Sequence, residues 1–186
     1  MVNSSWTSGH IKNITGDNKN VKIVYPPCNT KSMEEFELKN RKKIILCVAQ
    51  FRPEKAHSVQ LDAFSQFISK TNHKDTQLVL VGSARNDDDH KRVVALESQA
   101  RELKIEDSVK FVVNASYDEV LHWLSISSIG INTMIDEHFG INVVEYMVRL
   151  FLKKVVLILM FNFIGRWINS SCTCFGRSFI GYYIKV

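Results

Sequence analysis

Four consecutive apolar residues, Leu78-Val79-Leu80-Val81, end at Gly82. A strand sends successive side chains to opposite faces, so a short run with no polar member is buried on both faces at once. Helices lying on both sides of a parallel sheet provide that burial. The rest of the chain has the matching pieces. Ile44 to Ala49, Val109 to Val113 and Ile129 to Thr133 are further short apolar runs, and Val21 to Tyr25 reads as a strand stopped by Pro26-Pro27. Between them, Lys55 to Lys70 carries Leu61, Phe64, Phe67 and Ile68 at helical spacing. Asp87 to Leu103 begins with three acids suited to the positive end of a helix dipole, and Tyr117 to Ser127 completes the alternation. Lys31 to Lys43 reads as a polar connection. The fold expected is α/β: a Rossmann-like parallel sheet with helices on both faces.

In such a sheet ligands bind outside the carboxyl ends of the strands. Gly82-Ser83, Asn114-Ala115 and Met134 to Phe139 would therefore line one crevice. The same edge receives the turn Gln50-Phe51-Arg52-Pro53-Glu54-Lys55, whose Arg52 and Lys55 are cations fit to neutralise a diphosphate. Arg52 also reads as a solvated residue in a charged turn. At the other strand end, Glu137 and Glu145 stand with seven residues between them, His138-Phe139-Gly140-Ile141-Asn142-Val143-Val144. A loop carboxylate can face a sugar, Gly140 lets backbone approach a phosphate, and a helix N-terminus offers amide donors. A carboxylate two turns into that helix reaches a ribose. Taken singly, each half also fits a loop acid, a solvated helix acid or a charged helix start.

Together the two motifs resemble the C-terminal, nucleotide-sugar-binding half of the retaining GT-B glycosyltransferases that carry a Glu-x7-Glu signature (group 1). Val24-Tyr25-Pro26-Pro27-Cys28, Gln50 to Lys55 and Glu137 to Ile141 are most similar to the GDP-mannose-dependent α-1,2-mannosyltransferases of dolichol-linked oligosaccharide assembly. The likeness runs from Met1 to Met147. It implies transfer of mannose from GDP-mannose, with retention, to a lipid-linked oligosaccharide for protein N-glycosylation. The place implied is the cytosolic face of the endoplasmic reticulum membrane.

Carried over residue by residue, Glu137 and Lys55 become the catalytic positions. Arg52, Lys55, Glu137, Phe139, Gly140, Ile141 and Glu145 become donor-binding, with Glu145 on the ribose hydroxyls, and neither a cofactor nor a metal is implied. Asn114 and Ala115 fall where relatives hold the base. Relatives place their arginine where Gln50 stands, so Arg52 is a shifted equivalent or a solvated residue. The implied division is a remnant of an interdomain segment over 1–20, a truncated nucleotide-sugar-binding domain over 21–147, and an atypical basic, apolar tail over 148–186. A fragment or isoform of this kind is expected to be inactive alone. A non-catalytic nucleotide-sugar-binding or interaction fragment is the alternative.

Charge separates the tail from the rest. From Val148 onward there are Arg149, Lys153, Lys154, Arg166, Arg177 and Lys185 and no acid, which exceeds the whole chain's net charge of +5. The basic balance therefore gives no ground for nucleic-acid binding by the folded part. The run Val155 to Ile164 suggests an aggregation-prone extension or a partner for an anionic membrane surface, being too short to span a bilayer. Cys28, Cys47, Cys172 and Cys174 show no zinc or disulfide spacing, and Cys47 reads as a small buried hydrophobe. Asp87-Asp88-Asp89-His90 reads as a helix start with no converging partner for a cation. His57 reads as a helix-start residue, His138 as a residue able to touch substrate, and Trp6 and Trp123 as packing residues. Met1 to His10 has no apolar core of a secretory signal.

Overall fold

The computed structural model describes residues 1–16, 21–28, 41–134, 137–150 and 157–159. Five parallel strands form one sheet: β1 (Ile44–Val48), β2 (Gln77–Gly82), β3 (Val109–Val113), β4 (Ile129–Asn132) and β5 (Leu157–Leu159), in the order β3-β2-β1-β4-β5. Around it lie α1 (Ser5–Thr15), α2 (His57–Lys70), α3 (Asp87–Glu102), α4 (Tyr117–Ile126) and α5 (Ile141–Leu150).

The alternation within β2 divides the core in two. Leu78 and Leu80 join Cys47, Ile131, Leu61, Phe64, Val93 and Leu96 on the face covered by α2 and α3. Val79 and Val81 join Ile44, Leu46, Leu124 and Tyr146 on the face covered by α4 and α5. All four β2 side chains are at most 1% exposed, and full burial of each stabilises the fold by about 1.5–3 kcal/mol relative to exposure.

Helix starts follow their local chemistry. Asn86 caps α3 by accepting from the Asp89 N–H at 2.9 Å, and the Asp89 carboxylate folds back to accept from the Arg85 N–H at 3.1 Å. Ser116 and Glu119 form a reciprocal capping box at α4. The Asp87–Asp89 cluster thus opens a helix, as its position in the sequence suggested.

From β1 the chain winds outward through β2 to β3, then returns through α4 to β4 on the other side of β1. The reversal lies between β1 and β4. In open α/β sheets such a reversal, outside the carboxyl ends of the strands, is where ligands bind.

One sequence expectation is corrected. Val21 to Tyr25 is not a strand but contributes an isolated bridge, Val2 with Ile23, and Val24 and Tyr25 are exposed. Residues 1–16 contain α1, capped by Ser4 accepting from the Thr7 N–H at 3.1 Å. The division at Met147 falls inside α5, and Leu157–Leu159 pair in register with Gly130–Asn132, so part of the tail extends the sheet. The rest of 148–186 beyond α5, with Cys172 and Cys174, and most of the 31–43 connection lie outside the described residues.

Candidate functional site

The site grows from the two strand ends that flank the reversal. After β1, the turn Pro53–Lys55 is a single 3₁₀ turn, and Ala56 adopts left-handed φ of 50° before α2 begins. This turn aims Lys55 towards β4. Its Nζ lies 3.2 Å from Glu137 Oε2 and 2.8 Å from Met134 Sδ. Both charged side chains are mostly covered, 19% and 14% exposed, so their attraction is less screened than in a surface pair.

Glu137 is held from a second side. Asn132, the last residue of β4, donates from Nδ2 to the same carboxylate oxygen at 3.1 Å, and its own Oδ1 accepts from the Met134 N–H. The next residue, Thr133, donates its hydroxyl to the Lys55 carbonyl at 2.7 Å. One strand end therefore touches both halves of the site. Composition and motif spacing pointed to Lys55 and Glu137 but missed Asn132 and Thr133, although two polar residues closing an apolar strand at a ligand-bearing sheet edge were a usable signal.

Gly140 has φ of 73°, a left-handed value, and a Cβ there would lie 3.0 Å from Val143 Cγ2 and 3.1 Å from Glu137 Cγ. Glycine lets the loop turn sharply into α5 with Glu137 close behind it. The carbonyl of Gly140 takes up the Val143 and Val144 N–H groups, which starts the helix.

Helix α5 is seated on the sheet by two residues beside Glu145. Tyr146 is 1% exposed, its ring lies where a Cβ on Gly130 would be only 2.5 Å away, and its hydroxyl accepts from the Val48 N–H at 2.6 Å. Asn142 donates from Nδ2 to the Val48 carbonyl at 3.0 Å. Glu145 itself is half-buried with no hydrogen bond or ion pair to the described residues. Burial pushes its carboxyl above the ordinary range. A half-buried carboxylate without an internal partner is a group suited to an external donor such as a ribose hydroxyl. Burial, followed by the charge of Glu145, also raises the Cys28 thiol.

Thus Lys55 and Glu137 meet, while Glu145 stands apart from them on α5. Arg52 is half-exposed at the start of its turn and its side chain contacts none of the described residues by hydrogen bond or ion pair. Asn114 has φ of 56° and its Oδ1 accepts from the Ala84 N–H at 2.9 Å, tying β3 to the loop after β2. Gly82 is required there: a Cβ would meet the Ala49 carbonyl oxygen at 1.9 Å.

Trp6 is not a core residue. It is 40% exposed and packs on His10 and His138, with centroids 5.3 and 4.3 Å apart, while Tyr25 stacks on Phe139 at 5.8 Å. His57 does begin α2, but it is 3% exposed against Phe51, and burial with the nearby Lys55 cation lowers its pKa to about 4. Cys47 is buried, as expected, and Trp123 receives Lys110 Nζ over its ring at 5.0 Å. Among the described residues no group of three or more His, Cys, Asp or Glu converges to hold a metal, and no helix is long and apolar enough to cross a membrane.

Residues 29–149, which hold this entire constellation from Lys55 to Glu145, match the family Glycosyl transferases group 1. The chain belongs to the group 1 glycosyltransferases. A Yarrowia lipolytica protein named GDP-Man:Man(3)GlcNAc(2)-PP-Dol alpha-1,2-mannosyltransferase is 44% identical over 159 residues, covering 79% of this chain and 25% of the relative. The human protein of the same name is 40% identical over 154 residues, covering 79% of this chain and 31% of the relative. The chain therefore spans less than a third of these relatives' lengths. Among solved structures, a glycosyltransferase from Rickettsia africae superposes with a TM-score of 0.68 at 17% identity over 83% of this chain and 42% of its own. An Anabaena protein solved with UDP and glucose gives a TM-score of 0.65 at 18% identity over 84% of this chain and 43% of its own. These establish the fold as that of one Rossmann-like half of a GT-B glycosyltransferase.

Proposed function

We propose that this domain binds GDP-mannose in the crevice between the ends of β1 and β4, and that it serves an α-1,2-mannosyltransferase that acts with retention on a dolichol-linked oligosaccharide. The observation that carries the reading is the meeting of Lys55 with Glu137 at the reversal of strand order, in a chain 40–44% identical to mannosyltransferases of that specificity. Lys55 and the amides that open α5 supply positive charge where the departing diphosphate gains negative charge. Glu137 faces the mannose hydroxyls and helps hold the sugar as it becomes oxocarbenium-like. Glu145, about one turn along α5, accepts from the ribose, and Arg52 is free to swing onto the diphosphate. No metal is assigned to this chemistry. An acceptor carried on dolichol confines the reaction to a membrane surface, here the cytosolic face of the endoplasmic reticulum.

Transfer needs the reacting centre shielded from water by a facing domain. We assign it to a protein of the relatives' length, and to the 186 residues alone we assign donor binding. Titration calorimetry with GDP on the parent chain, Lys55→Ala and Glu145→Ala tests the site. Hydrogen bonds to charged groups are worth about 1.5–3 kcal/mol, so each substitution should weaken binding about tenfold or more. Equal heats from all three chains refute the assignment.

A further inference from the structure

Gln60 is 1% exposed on α2, and its Nε2 lies 2.7 Å from Thr133 Oγ1. The Thr133 hydroxyl has one hydrogen, which is committed to the Lys55 carbonyl at 2.7 Å. Whatever approaches its oxygen at hydrogen-bonding distance must then donate, so the Gln60 amide presents nitrogen to Thr133. A directional relay results, from the Gln60 amide through the Thr133 hydroxyl to the Lys55 backbone. Each bond in such a series polarises the next.

The receiving turn needs holding. Ala56 sits at φ of 50°, a left-handed conformation that costs a residue with a Cβ about 1–2 kcal/mol, and its carbonyl is also within 3.4 Å of Thr133 Oγ1. The 3₁₀ turn Pro53–Lys55 ends one residue before α2, and Thr133 adds a restraint from β4 to the turn's own backbone bonds, Lys55 N–H to the Arg52 carbonyl and Ala56 N–H to the Pro53 carbonyl. On the other side of Thr133, Asn132 fixes Glu137. Adjacent residues of one strand end thus set the position of both members of the Lys55–Glu137 pair.

We propose that Thr133, buttressed by Gln60, is a positioning residue for donor binding: it holds the strained Arg52–Ala56 turn against the end of β4 so that Lys55 Nζ is fixed at the diphosphate position beside Glu137. The proposal rests on the donor-site reading above. Because Thr133 acts through Lys55, its contribution to donor affinity disappears when Lys55 has no amine.

A double-mutant cycle on the full chain tests this, with GDP affinity read by calorimetry and folding by thermal unfolding of each variant. Thr133→Val, which keeps shape and loses the hydroxyl, should weaken GDP binding about fivefold. Thr133→Ser should restore affinity to within about twofold of the parent. Adding Thr133→Val to Lys55→Ala should leave affinity within about twofold of Lys55→Ala alone. An equal loss in both backgrounds, or a Thr133→Ser chain as weak as Thr133→Val, overturns the proposal in favour of a general packing role. So does a Thr133→Val chain that melts earlier but binds as the parent does. If Thr133→Val does not fold, Gln60→Met takes its place in the same cycle with the same expectations. Absence of GDP heat from the folded parent refutes the donor-site reading and this proposal with it; normal parent binding with an unaffected Thr133→Val chain refutes this proposal alone.

Discussion

Replacing Tyr146 by Phe should loosen α5 without touching either glutamate. The Tyr146 hydroxyl accepts from the Val48 N–H at 2.6 Å, and the ring packs over Gly130. In β1 the amides alternate in direction. Ala49 turns its N–H to β2, to the Val81 carbonyl at 2.9 Å, while Val48 turns its own towards β4 and meets the hydroxyl of α5. Tyr146→Phe keeps the ring and its packing and removes only the acceptor. A backbone N–H left without a partner away from water costs about 1–3 kcal/mol. For a chain of this size each kcal/mol lowers the melting temperature by about 2–4 °C, so the central expectation is a fall of about 4–8 °C.

The control is Tyr117→Phe. Tyr117 is 52% exposed on α4, and loss of its hydroxyl should change stability by no more than about 0.5 kcal/mol. Thermal unfolding followed by circular dichroism compares the two. Burial raises the Tyr146 phenol well above its ordinary value, so the hydroxyl stays neutral and the difference should be the same at pH 6 and pH 9. Hydrogen exchange at the Val48 amide gives a local readout: it should quicken in Tyr146→Phe and not in Tyr117→Phe. Equal melting temperatures for the two variants, with unchanged exchange at Val48, would refute the view that this bond seats the glutamate helix.

Glu145→Gln should raise the melting temperature at neutral pH while weakening GDP binding, since burial raises the folded carboxyl's pKa and ionised Glu145 therefore opposes folding; calorimetry and thermal unfolding together read both effects, and the stability gain should vanish in acid where the carboxyl is protonated. His57 has the opposite sign of pH dependence. Its folded pKa of about 4 lies below the ordinary 6.5, so protons favour the unfolded chain and stability falls by up to about 3 kcal/mol as pH drops from 6.5 to 4, a dependence that His57→Leu should abolish in urea unfolding.

The central strands were legible because burial on both faces leaves a mark that needs no knowledge of neighbours. Leu78-Val79-Leu80-Val81 cannot be satisfied by one covered face, and the structure indeed divides them between two core clusters. Val21 to Tyr25 shows the limit of that inference. Its β-branched and aromatic residues fit a pleated surface, yet a strand exists only where another strand offers an edge, and among the described residues Ile23 has only an isolated bridge to Val2. The tail shows the converse. The resemblance ends at Met147, but pairing is made by backbone, and Leu157–Leu159 supply the apolar stretch that a β4 edge accepts irrespective of family.

The candidate site divides along the same line. Lys55, Glu137, Gly140 and Glu145 belong to motifs with a readable spacing, so they could be singled out in one dimension. Asn132, Thr133 and Gln60 could not, because their meaning lies in contacts across the crevice between segments 73 or more residues apart, as in Gln60 to Thr133, or in a turn back onto Glu137. A bonding relay through a hydroxyl has no period and no motif. The structure shows the cost that such a relay must offset: Ala56 occupies the residue between a 3₁₀ turn and a helix, where the chain adopts φ of 50° without a glycine. A left-handed alanine at a cation-bearing turn is held only by its surroundings. The polar residues that close β4 are those surroundings, and the same pair, Asn132 and Thr133, that restrains the turn also aims Glu137. The geometry of the charged pair is therefore a property of β4 as much as of the two motifs that contain Lys55 and Glu137.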